Sequence, residues 1–99
     1  MAHQIEFAKS VKAHLDGLTA DQRNTVFDAI ARQLTNEPSK ETRNRKPLRP
    51  NPVAPWELRV GKLRVFYEVS EGSPATVQIL AIGIKERNVL RIGGQEIQL

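Results

Sequence analysis

The chain has 99 residues, with 15 Lys/Arg against 11 Asp/Glu for a formal net charge of +4, and is 39% hydrophobic and 26% charged. That gives room for one domain, residues 1–99, with a modest core, in a composition that suits a folded globular chain better than a disordered one. The absence of cysteine excludes disulfides, thiolate metal sites and a Cys nucleophile. No apolar run of ~18 residues and no basic-then-apolar leader is present, so neither a membrane span nor a secretory signal is expected and a cytoplasmic location is.

Positive charge is concentrated. Residues 43–64 carry seven basic side chains against Glu57 alone, while the segments before and after are each slightly acidic. Such a patch is the electrostatic footprint of a nucleic-acid or acidic-protein binder, or else of a solubilising loop. Only His3 and His14 offer imidazole, and no His/Asp/Glu group has metal-ligand spacing, so neither a metal nor a cofactor is expected.

His3 to Phe7 alternates as a short first strand with Ile5 and Phe7 inward. Val11, Leu15 and Leu18 then form one stripe of a helix over roughly Ala8 to Gly17 or Leu18, with Gly17 where it would end. His14 borders that stripe and reads as a boundary side chain, because local spacing places no acidic or nucleophilic partner beside it. Thr19-Ala-Asp-Gln22 is a capping-box signature, and a second helix carrying Val26, Phe27, Ala29, Ile30 and Leu34 runs from it until Asn36-Glu37-Pro38. So short a joint predicts an αα-hairpin on one face of a sheet.

From Pro38 to Pro55 the chain holds five of its six prolines, interleaved with Arg43, Arg45, Lys46 and Arg49. This is an irregular, stiffened connection, longer than compact domains ordinarily use without a functional reason.

Trp56 to Val69 reads as a β-hairpin, since Gly61-Lys62 between two strand-like runs suits a type II′ turn. A two-residue loop fixes the register, placing Arg59 opposite Arg64, Glu57 opposite Phe66 and Trp56 opposite Tyr67. One face then carries Trp56, Leu58, Val60, Leu63, Val65, Tyr67 and Val69 as core, and the other Glu57, Arg59, Arg64, Phe66 and Glu68. Like charges directly opposite are destabilising, by up to ~1 kcal/mol. An anion between the two guanidinium groups would reconcile them, and a phosphate matches their planar forks. The alternatives are solvated arginines splayed apart, or each paired with Glu57 or Glu68.

Ala75 to Ile84 is apolar at nearly every position, as in a strand central in a sheet, and follows a turn signal, Glu71 to Pro74, so an antiparallel meander is expected. Lys85, Glu86 and Arg87 emerge at its end. Residues 88–99 fit either a short helix or a last strand with a bend at Gly93-Gly94.

The order of strand, two helices, basic linker, three-stranded meander and tail is similar to the RelE/ParE superfamily of bacterial type II toxin–antitoxin systems. The resemblance spans IEFAKSVKAHLDGL, WELRVGKLRVFYEV and LAIGIKERNVL, and the hairpin is its most specific part. It implies an α+β fold, order β-α-α-β-β-β plus a C-terminal segment, with an antiparallel, mixed-edge sheet of about four strands and the αα-hairpin on one face. It further implies a toxin, with a cognate antitoxin as partner.

In RelE-like members such a toxin enters the ribosome and cleaves mRNA without a metal. Carried over, Arg59, Arg64 and Lys85 or Arg87 would stabilise phosphate charge. Glu57 is the candidate base for the ribose 2′-hydroxyl. Arg43, Arg45, Lys46, Arg49 and Lys62 would grip RNA backbone. The C-terminal Tyr or His frequent in that group is missing from residues 88–99; Arg91, a weaker proton donor that could stack on a base, stands nearest. The alternatives are a ParE-like inhibitor of DNA gyrase without nuclease activity, and a catalytically silent relative that only binds an antitoxin.

Overall fold

A computed structural model describes residues 2–99. Its elements are β1 (Gln4–Phe7), α1 (Ser10–Asp16), α2 (Ala20–Gln33), β2 (Arg45–Pro47), β3 (Trp56–Val60), β4 (Leu63–Ser70), β5 (Thr76–Glu86), β6 (Val89–Ile92) and β7 (Gln95–Ile97). The α+β class and the element order hold. The sheet is larger than the expected four strands, because the linker contributes β2 and the tail folds back as β6 and β7.

The strands form one open sheet in the order β2-β3-β4-β5-β6-β7. β5 is its spine: β4 pairs antiparallel along one edge, while the other edge carries β1, parallel, on Thr76–Ile79 and β6, antiparallel, on Gly83–Glu86. The hairpin register is as the turn chemistry dictates, with Trp56 on Tyr67, Glu57 on Phe66, Leu58 on Val65, Arg59 on Arg64 and Val60 on Leu63. Gly61 takes φ +59°, the left-handed first position that a II′ turn reserves for glycine.

The helices form where their signals lie. Thr19 Oγ1 accepts from the Gln22 N–H at 3.1 Å while Gln22 Oε1 accepts from the Thr19 N–H at 2.9 Å, a complete capping box. Val11, Leu18, Val26, Ile30 and Leu34 pack on Leu58, Val65, Tyr67, Val77 and Ile79, making one core between the helices and one sheet face. Tyr67 is fully buried, stacks on Trp56 with centroids 6.1 Å apart and donates to the Pro38 carbonyl at 2.8 Å. Burial raises its phenol well above the ordinary value of 10, opposed by the nearby Arg45 guanidinium. Phe7, expected inward, is half exposed at the rim, where it meets Phe27 edge-on at 6.0 Å.

The other face departs from the alternation argument. Phe66 is fully buried there among Ala54, Ala81, Leu90 and Ile92, with Leu48, Val53, Leu80 and Ile97 packed around them. The proline-rich linker and the tail therefore cover part of the helix-free face. Asn51 braces the linker, its Oδ1 accepting from the Val53 and Ala54 N–H groups at 2.8 and 3.0 Å. Among the described residues no helix is long and apolar enough to cross a membrane.

Candidate functional site

The hairpin does set Arg59 and Arg64 side by side on the helix-free face, as the cross-strand register requires. The anion between them is internal. Glu57 Oε2 accepts from Arg59 Nε at 2.9 Å, and Glu57 Oε1 lies 3.8 Å from Arg64 Nε. The Glu57 side chain is 6% exposed, that of Arg64 14% and that of Arg59 47%, so only Arg59 keeps a substantial face toward water.

Arg64 is spent further on its own turn, one terminal nitrogen donating to the Gly61 and Leu63 carbonyls at 2.7 and 2.8 Å. Burial pulls its guanidinium below the ordinary value, the Glu57 carboxylate opposes that shift and Arg59 adds to it. Of the alternatives open at the level of sequence, pairing with Glu57 is the one found. A phosphate is not needed to reconcile the two arginines.

An open groove of about 380 Å³ lies beside this triad, lined by Glu57, Lys85, Asn88, Leu90, Ile97, Gln98 and Leu99. Lys85 is exposed on it and makes no ion pair among the described residues. The groove exists because β6 and β7 extend the sheet past β5. Gly93 and Gly94 take φ +60° and +81°, so the Gly-Gly pair is a tight β6–β7 turn that brings Ile97 opposite Leu90. The tail is thus strand, the second of its two readings. Arg87 and Asn88, with φ 52° and 65°, form the corresponding turn between β5 and β6.

Several of the remaining basic residues are placed elsewhere. Arg91 pairs with Ile84 and so points to the face opposite Arg64, where it lines a different cleft with His14; it cannot join the hairpin arginines or stack on a base held there. Arg45 is buried, its guanidinium donating to the Lys40 carbonyl at 3.0 Å and to the Gln33 carbonyl and Oε1 at 2.8 and 3.2 Å. It fastens the linker to the C-terminal end of α2, and is not available to a phosphate. Lys46 stands opposite Glu57 in the β2–β3 register, on the face of the hairpin arginines, with its ammonium 3.5 Å from Glu41; Lys62 lies 3.2 Å from Glu86, and Arg43, Arg49 and Arg87 are exposed.

Arg45→Met is therefore expected to cost about 1.5–3 kcal/mol, the range for hydrogen bonds to a charged group, in urea denaturation. Arg43→Ala and Arg49→Ala should each stay within about 0.5 kcal/mol of wild type.

The model of the ParE toxin family, toxins of type II toxin–antitoxin systems (parDE), matches residues 5–89. The chain belongs to the ParE toxin family. This ParE-family toxin is also similar in fold to the toxin–antitoxin complex RelBE2 from Mycobacterium tuberculosis, with a TM-score of 0.73 and 24% identity over 86% of this chain and 93% of that one. No curated protein matches it. The α+β order inferred from sequence is thus that of a RelE/ParE superfamily toxin.

Proposed function

We propose that this toxin arrests growth by binding a protein target, DNA gyrase in the manner of ParE, and not by cutting message. The observation that carries this reading is the buried Glu57 carboxylate held between Arg59 and Arg64. The groups that RNA cleavage would need as free cations and a free base are engaged with one another. Arg64 and Glu57 are too buried to exchange that internal pairing for a phosphate and a ribose hydroxyl without uncovering charge. A protein-binding toxin needs neither a base nor an acid, and tolerates a tail without Tyr or His. The exposed Arg43, Arg49, Arg59, Lys85 and Arg87 leave a basic surface suited to an acidic partner. A cognate antitoxin with an acidic or amphipathic segment is the natural neutraliser of that surface.

Cleavage on the ribosome is the second reading, favoured by the open groove that Glu57 and the exposed Lys85 both line. Induced expression in bacteria separates the two. Induction of the DNA-damage response with intact messages, together with inhibition of gyrase supercoiling by purified protein, is the expected outcome. Codon-phased cuts in primer extension on translated messages would overturn it.

A further inference from the structure

On the edge that it shares with β1 and β6, β5 is paired by β1 as far as Ile79 and by β6 only from Gly83. Among the described residues the backbone between them has no strand partner on that side. Two α1 side chains one helical turn apart stand in for the missing strand: Ser10 Oγ donates to the Leu80 carbonyl at a long 3.5 Å, and His14 Nδ1 accepts from the Ile82 N–H at 3.2 Å. Ile82 is itself buried, so this N–H has no ready alternative in water.

An imidazole accepting at Nδ1 must carry its proton on Nε2, and the imidazolium has two donors and no acceptor. Protonation would set an N–H against an N–H and orphan a buried donor. We propose that His14 is an acid-sensitive latch, holding α1 against the gap in β5 only while its ring is neutral.

The surroundings favour the neutral ring. His14 sits in a cleft of about 160 Å³ with Leu18, Ile82, Ile84, Glu86 and Arg91. The β6–β7 turn closes on it, since a Cβ on Gly93 would lie 3.3 Å from the ring. The charged groups of the cleft are Glu86 on β5, which Lys62 engages at 3.2 Å, and Arg91 on β6. On α1 itself Lys12 and Asp16 are exposed, and from α2 Arg23 is directed to the Leu15 and Leu18 carbonyls at 3.2 and 2.6 Å.

The C-terminal end of a helix favours a cation, yet burial prevails and lowers His14 below its ordinary 6.5. With the folded value depressed, the unfolded chain binds the proton more tightly. The latch contributes fully above about pH 6.5 and is lost as pH falls through the folded value.

The test compares wild type with His14→Asn between pH 8 and 5, reading the urea midpoint and the protection of the Ile82 amide. Asn Oδ1 can accept the same bond without titrating, and His3, present in both proteins, cancels in the comparison. Wild type should lose folding equilibrium by up to about tenfold for each unit by which His14 lies below 6.5, with Ile82 protection falling in step. His14→Asn should lack that component. An equal pH dependence in both proteins overturns the latch. So does a His14 ring resonance in wild type that titrates at or above 6.5, a measurement that stands even if the variant does not fold.

Discussion

Phe66→Ala should cost about 3–5 kcal/mol, the range for removing a buried aromatic side chain. For a domain of this size that corresponds to a melting temperature lower by about 12 °C or more. Phe66 is fully buried although it stands on the face that its own strand would turn to water, because the linker and the tail meet over it. Its removal undermines three separate segments: Leu48 to Ala54, the β5 residues Leu80 and Ala81, and the β6–β7 hairpin through Leu90, Ile92 and Ile97. Calorimetry measures the loss. Limited proteolysis locates it, since cleavage should appear first in the proline-rich linker, whose cover over the sheet depends on this ring. Phe66→Leu, which keeps most of the apolar volume, should lose much less. A cost below about 1 kcal/mol for Phe66→Ala would mean that the second core does not form.

Phe66 also shows where sequence reasoning stops. The two-residue turn at Gly61-Lys62 fixes every cross-strand pair of the hairpin, and all five pairs are found; the capping box at Thr19 is likewise local and complete. These features rest on contacts between near neighbours, which a pattern of periods and turn residues encodes. Whether a strand face meets water or another segment is not local. Leu48, Val53 and Ala54 lie a dozen or more residues upstream of Phe66, in a stretch whose prolines and arginines read as an exposed connection. The placement of Arg91 depended on the β5–β6 register in the same way. The tail was within reach, because Gly93-Gly94 between two short apolar pairs is a hairpin signal. Glu57 lies two residues from Arg59 on one strand face, so its pairing was among the legible alternatives. Its burial, which decides what the pair can do, comes from long-range cover.

Glu57→Gln is expected to destabilise the fold by about 2–3 kcal/mol, below the usual 3–5 kcal/mol for breaking a buried pair because Arg59 is half exposed. With the carboxylate gone, the enclosed Arg64 keeps its charge and faces Arg59 directly. The matching double variant Glu57→Gln with Arg64→Met should recover most of the loss, because no uncompensated guanidinium remains inside; a thermodynamic cycle in urea gives the coupling. Arg59→Ala alone should cost about 1–3 kcal/mol, because the buried Glu57 carboxylate loses the hydrogen bond it accepts at 2.9 Å and keeps only the 3.8 Å contact with Arg64. The same variants discriminate the function. If Glu57 is a brace, the growth arrest caused by each protein follows its folded fraction, and the double variant regains toxicity together with stability. If Glu57 and Arg64 carried out proton transfer and phosphate stabilisation, the double variant would be folded and inert. A stable double variant that has lost all toxicity therefore contradicts the protein-binding reading, and one that is both stable and toxic leaves the hairpin no role in bond cleavage.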